Sequence, residues 1–469
     1  MLKKVGLFPA QETDLEFYTQ NLVIPISNHG EFEWEVNCKK VAVKFESINF
    51  DYYTNYKKVI GEFKNSSKIF DRHYQGSQQT ELMYQELAIQ TIRLSENLKA
   101  NAIVSVIFFT GSSHHIDSLI CELACRIAGI NQIFLYPVPM AMHRLIPLVQ
   151  TDGILTRSNL NKYVSTEIFT KQIHDYSTHV LSNSSNYLGS FSQNFYLSIW
   201  NLLVSAMRKH FFKFLQETVL RIRGKFMPSS TLKPISFYTD LVLLFKQKKS
   251  IRVLREYISD DSVNVSAQCQ VPNLVILAHY EPESTNFPEG GEFHNVIDLV
   301  IRIRSLGYTG NIIYKEHFAL NYYMQDRHTS RSGMARSESL YNSLRKLGCL
   351  FVDKSYEPND LSIVVTLVGT TALERSLSGK CTVVLGHIWF AGIPGTITLE
   401  KAIDLLKTSS LVVNSNTIIN DARNFLSSCL NYKTINNARG VGTGKPSKNM
   451  DDWFNFYQEM NNLLKELVA

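Results

Sequence analysis

The strongest constraint on the fold is an apolar run, Ala102–Phe109, in which only Ser105 is polar. A strand that is apolar on both faces must be covered on both, as in a parallel sheet flanked by helices. The run ends in Thr110-Gly-Ser-Ser-His-His115, a helical stretch follows from Ile116 to Ala128, and Ile133–Tyr136 reads as the next strand. This β-loop-α-β order predicts a parallel sheet that collects ligands at the carboxyl ends of its strands. Upstream, Val41–Phe50 is expected as a strand, and Thr80–Leu98 carries helical spacing through Leu82, Leu87, Ile89, Ile92 and Leu94.

The same grammar returns after residue 270. Leu274–Ala278 reads as a strand, Glu292–Ser305 as a helix, Asn311–Lys315 as a strand and Ser337–Leu347 as a helix. Strands at Cys349–Val352, Ser362–Val368 and Cys381–Leu385 follow, with a helix at Thr371–Ser378 between the last two, and Thr398 to Ala469 reads as helices ending in Met450–Leu467. Between the two α/β stretches, from about Asn194 to Tyr257, the pattern is helical, aromatic and basic, with an interruption near Pro228–Pro234. The expected organisation is an N-terminal acceptor-side α/β domain (1–193), a basic helical connector (194–265), a C-terminal nucleotide-sugar-binding α/β domain (266–398) and C-terminal helices packing back across both (399–469). Two doubly wound Rossmann-type domains facing a cleft is a GT-B-like layout, which some sugar-nucleotide epimerases share. Fold alone does not choose between activities.

Composition narrows the partners. With 469 residues, 44% hydrophobic and 19% charged, the chain is globular, neither disordered nor collagenous nor a coiled coil. The formal charge is +6, but Arg208–Arg255 holds twelve Lys and Arg against Glu217 and Asp240, a local +10. That excess does not argue for nucleic acid; it suits either a solvated linker or peripheral contact with an anionic membrane. The seven scattered cysteines read as small buried hydrophobes of a reduced protein. With no signal-peptide pattern and no run near the roughly 20 apolar residues of a span, the expected location is the cytoplasm, with contact to the inner face of the membrane as an option.

Four segments carry candidate chemistry. The loop His279–Gly291 leaves a buried strand and holds Glu281 and Glu283 around Pro282, then Gly290 and Gly291, which allow close backbone approach to an anion. In Tyr314-Lys-Glu-His317, strand alternation puts Lys315 and His317 on one face, a cation and an imidazole suited to phosphate. Val368-Gly-Thr-Thr-Ala-Leu-Glu374 is a strand–turn–helix. Thr370 and Thr371, beside Gly369, could bond phosphate and Glu374 ribose hydroxyls, or Thr371 and Glu374 could simply form a capping box. In the first half, His114, His115 and Asp117 line a polar turn and Arg144 follows Pro137-Val-Pro139. These are acceptor-side candidates, with a helix cap and an exposed loop arginine as the plainer readings. No convincing metal-ligand set stands out.

In their order and spacing these residues resemble the bacterial capsular polysaccharide synthesis family, which includes the retaining β-Kdo glycosyltransferases. Members carry a Q-P-E or N-D loop, then K-x-H-P, then a Gly/Thr turn running to E-A-L and G-K-P, then W-Y. The counterparts here are Glu281-Pro-Glu283, Lys315-Glu-His317, Gly369-Thr-Thr-Ala-Leu-Glu374 with Gly379-Lys380, and Trp389-Phe390. Glu281 replaces the usual Gln, Phe318 stands where the family has Pro, and Cys381 replaces the Pro after Gly-Lys. The resemblance implies transfer of Kdo from CMP-Kdo, or of a related CMP-ulosonate, to a glycan or glycolipid acceptor, with no added cofactor or metal. Glu283 aligns with the family's Asp nucleophile, Glu281 would assist it, and His317, Lys315 and the Thr370–Thr371 turn would hold the phosphate. Three alternatives stay open: a CMP-nonulosonate transferase, a UDP-sugar 2-epimerase, and a non-catalytic polysaccharide assembly protein.

Overall fold

The computed structural model describes residues 4–8, 23–25, 50–65, 81–109, 116–138, 141–151, 154–157, 166–182, 207, 211, 237–267, 272–279, 293, 295–317, 336–353, 355–359, 361–367, 369–386, 390–408, 415–430, 434–440 and 446–468. Within them the chain is α/β, built on one mixed and one wholly parallel sheet.

The first sheet has seven strands: β1 (Lys4–Phe8), β2 (Val23–Pro25), β3 (Ile103–Phe108), β4 (Asn131–Val138), β5 (Ala141–Thr151), β6 (Ile154–Arg157) and β13 (Ile435–Asn436). The order β2-β1-β3-β4 is parallel and doubly wound. β5 pairs antiparallel with β4, and both β6 and β13 pair antiparallel with β5. Helices α1 (Phe50–Asn65), α2 (Glu81–Ala100) and α3 (Ile116–Ala128) form one layer, in which α2 packs on both of the others. The expected strand over residues 41–50 lies outside the described residues, except that Phe50 opens α1.

The second sheet is wholly parallel. Its strands are β7 (Leu274–Leu277), β8 (Ile312–Lys315), β9 (Cys349–Val352), β10 (Ile363–Thr366), β11 (Thr382–Val384) and β12 (Thr396–Ile397), in the order β12-β11-β10-β7-β8-β9. Counted from β7, this is the 3-2-1-4-5-6 order of Rossmann folds, whose winding reverses between the first and fourth strands, here β7 and β10. Helices α6 (Val296–Ser305) and α7 (Glu338–Lys346) start at side-chain caps. Asn295 accepts from the Ile297 amide at 3.1 Å and Ser337 from the Leu340 amide at 3.1 Å. Under this sheet Tyr314, Tyr341 and Phe351 meet edge to face, with centroids 5.6–6.4 Å apart.

Helices from one half of the chain pack on elements of the other. Helix α4 (Thr166–Ser182) packs on α8 (Thr371–Leu377) and α10 (Ser415–Leu430), and Arg423 donates to the Ser177 hydroxyl at 2.9 Å. Conversely, α11 (Met450–Val468) lies on β1, β3 and β13 and buries Phe456, Met460, Leu463 and Leu464 against Val5, Leu7 and Ile107. The helical reading from Thr398 to Ala469 is corrected at one place, β13. α9 (Leu399–Thr408), α10 and α11 are helices, but β13 completes the first sheet. Helix α5 (Phe237–Ala267) packs on β9 and α7. Residues 194–236 of the basic stretch lie outside the described residues, except Met207 and Phe211.

Candidate functional site

Parallel strands aim their carboxyl ends at one edge, and at the β7/β10 reversal that edge carries a buried polar cluster. Glu316 follows the last residue of β8, so alternation puts it on the face of Tyr314, inside the core. A carboxylate there needs partners. Its Oε2 accepts from Arg336 Nε at 2.9 Å, Tyr314 OH at 3.0 Å and Tyr341 OH at 2.9 Å, and its Oε1 from the His317 amide at 2.8 Å. The Arg336 and Glu316 side chains are only 5% and 8% exposed. Arg336 also donates from Nη2 to the carbonyl of His279, just past β7.

The His279 ring is fixed from the other side of the reversal. Its Nε2 accepts the Leu367 amide at 2.7 Å and lies 2.9 Å from the Thr366 hydroxyl, so that nitrogen holds no proton. Burial first, then His317 and Arg336, push the His279 pKa down to about 3. Burial also lowers His317 to about 4; Glu316 pulls it upward and Arg336 down. Both imidazoles are neutral at pH 7. A cavity of about 30 Å³, room for one water, lies against His279, Arg336, Tyr314, Thr366 and Phe293. Gly369 belongs to the same construction, since a Cβ there would sit 3.0 Å from Thr366 Oγ1 and 3.4 Å from His279 Cε1.

The other expected residues fall as follows. Lys315 and His317 follow one another at the end of β8. β8 stops at Lys315, whose ammonium donates to the Tyr356 carbonyl at 2.6 Å, and burial lowers its pKa. The capping box is also corrected. Thr370, not Thr371, occupies the N-cap, with αR backbone and no side-chain cap bond. Its hydroxyl instead reaches Glu374 Oε1 at 3.5 Å. The Glu374 carboxyl is buried, which raises its pKa, while hydrogen bonds from Thr370 and Tyr176 of α4 oppose the rise. Gly379 has φ +71° and its Cβ would meet Ser415 within 2.6 Å, so its glycine serves the seam between α8 and α10. Phe390 is core, 2% exposed.

Arg144 is not on a loop. It lies on β5 and donates to the Thr434 hydroxyl and carbonyl, both at 2.9 Å, and to Glu459 at 3.0 Å, tying β5 to α11. Asp117 sits in the first turn of α3. Glu281, Glu283, Gly290, Gly291, His114 and His115 lie outside the described residues, as does Trp389. Thus the structure brings His317 and Gly369 to one edge with His279, Glu316, Arg336 and Thr366, for which motif spacing assigned no role. Glu316 was legible in principle, as an acid two residues beyond the buried Tyr314. Arg336 sits in a polar stretch without periodicity and carries no local signal.

The histidines make stability pH-dependent. Their folded pKa values lie below 6.5, so the unfolded chain binds more protons between about pH 4 and 6.5. Their contribution is therefore full above pH 6.5 and is lost as pH falls through that window. Thermal and urea unfolding should show a loss of roughly 2–4 kcal/mol from pH 7 to pH 5. A flat profile there, or an unchanged slope in His279→Asn, would contradict this burial of two neutral imidazoles.

No protein-family model matches the chain, and no curated protein matches it.

Proposed function

We propose that the chain is a GT-B glycosyltransferase that moves Kdo, or a related 3-deoxy-ulosonic acid, from its CMP-activated form to a surface-polysaccharide or glycolipid acceptor with retention. The observation that carries this reading is the buried His279–Arg336–Glu316–His317 cluster at the β7/β10 reversal. Ligands of doubly wound sheets bind at that crevice. The carboxylate loop begins there too, since Glu281 and Glu283 follow His279 by two and four residues. Arg336 grips the His279 carbonyl while Thr366 and Leu367 grip its ring, so the root of the loop is held firm.

The chemistry fits a CMP-ulosonate. Its anomeric carbon is tertiary, so breaking the bond to the phosphate oxygen develops oxocarbenium character that a carboxylate can trap. Glu283 forms the bond to the anomeric carbon as CMP leaves with the electron pair of the broken C–O bond. The acceptor hydroxyl then displaces Glu283 and gives up its proton to a base, for which Glu281 is nearest in sequence. His317 faces the departing phosphate. It is neutral in the protein alone, and a phosphate beside it favours the imidazolium, which offsets the charge of the leaving group. The exposed Thr370 hydroxyl and Thr371 complete the phosphate contacts, with Lys315 and Glu374 left to their structural partners.

A thermal-shift series with CMP, UDP and GDP tests the donor class. CMP at about 100 times its Kd should stabilise the protein by about 2.7 kcal/mol, and the other two far less. Preferential stabilisation by UDP would point to the 2-epimerase reading. Stabilisation by none of them would point to an assembly component, and with it the transferase reading falls.

A further inference from the structure

We propose that the outward stripe of α5 is a docking face for an anionic phospholipid bilayer. The inward side of this helix is settled by its contacts. Ser250, Leu254 and Asp261 are buried, Tyr257 donates to Asn342 at 2.6 Å and packs on Phe351 at 5.3 Å, and Asp261 accepts from the Phe351 amide at 2.8 Å. At roughly 100° per residue, the opposite line runs through positions 245, 249, 252 and 256, all exposed.

That line is graded along the helix. Phe245 is followed on it by Lys249, Arg252 and Glu256, with Arg255 on its flank, and Arg252 pairs with Glu256 at 3.0 Å. Phe245 is 55% exposed, and the Lys249 and Arg252 side chains are 69% and 82% exposed. Among the described residues, the side-chain contacts that hold α5 to the second sheet run from Lys249, paired with Glu338 at 2.7 Å, to Asp261. The exposed Phe245 therefore precedes the packed part. Met207 and Phe211, helical positions at the start of the same basic stretch, are 50% and 59% exposed.

An apolar tip with a cationic collar matches the boundary between acyl chains and phosphate headgroups. Apolar side chains enter the acyl region while Lys and Arg stay at the phosphates. The local +10 of Arg208–Arg255 supplies the attraction to an anionic surface. Nucleic acid would answer the cations but not the exposed Phe245, so the bilayer is the better match. Among the described residues no helix is long and apolar enough to cross a membrane, which fits docking in the plane of the interface. This inference does not depend on the donor assignment.

Co-sedimentation of the full chain with phosphatidylcholine vesicles, with and without phosphatidylglycerol, tests it. Binding should require phosphatidylglycerol and weaken as salt rises. The triple variant Lys246→Gln/Lys249→Gln/Arg252→Gln should bind about 100-fold more weakly, at about fivefold per cation near the surface. Phe245→Ser should cost about tenfold. Both variants change exposed positions, and circular dichroism melting verifies that they fold. Equal binding to both vesicle types, binding to neither, a folded triple variant that binds like the parent, or tighter binding to an oligonucleotide would overturn the proposal.

Discussion

Replacing Arg336 with Met is expected to lower the unfolding free energy by about 3–5 kcal/mol, because it leaves the Glu316 carboxylate buried without its counter-ion. The two side chains are almost wholly enclosed, at 5% and 8% exposure, so water cannot stand in for the lost guanidinium. Tyr314, Tyr341 and the His317 amide would still donate, but three neutral donors do not balance a buried charge. Glu316→Gln should cost a similar amount, since it leaves the Arg336 guanidinium, 5% exposed, buried without its counter-ion. The double variant should be milder than the sum of the two by about 0.5–3 kcal/mol, the signature of partners in one network. Thermal melts of the four proteins measure this cycle. Strict additivity would mean that Arg336 and Glu316 do not act on each other, and the anchored root of the carboxylate loop would go with them. Tyr341→Phe, which removes one donor to Glu316, should cost about 1 kcal/mol.

Elements buried on both faces were legible because their pattern is local. Ile116–Ala128 and Cys349–Val352 match α3 and β9 residue for residue, and the other strand expectations in the second half agree within two residues at either end. The Rossmann strand order then follows from alternation of strand and helix with right-handed crossovers. What escaped depends on distant partners. β13 is two residues long and exists because β5 offers it an edge, and Arg144 meets Thr434 across 290 positions of sequence. No periodicity within a window of sequence reports such a pairing. The same holds for the site. The Tyr314–His317 segment was singled out for its lysine and histidine, yet Glu316 between them organises the cluster, through an arginine twenty residues away. The misread capping box has a different cause. Thr370 and Thr371 are chemically equivalent, and only the backbone conformation after β10 decides which one starts α8.

Glu283→Gln is expected to reduce transfer to background while leaving folding and CMP binding unchanged, if Glu283 is the nucleophile proposed above. The amide keeps the shape of the carboxyl group but cannot form the covalent bond to the anomeric carbon. Glu281→Gln should cost much less, because the family that this loop resembles places Gln at that position, and a residue that orients the acceptor tolerates an amide. Two further measurements separate nucleophile from base. A route through a glycosyl–enzyme bond inverts the anomeric centre twice, so the product linkage, read by NMR against the donor, must show net retention. Intact-protein mass spectrometry of a slowed variant should show one ulosonyl adduct, located on the peptide spanning Glu281 to Thr285. A product with inverted configuration would remove Glu283 as nucleophile and make it the base that deprotonates the acceptor. In that case Glu283→Gln would still be inactive, but no adduct would form.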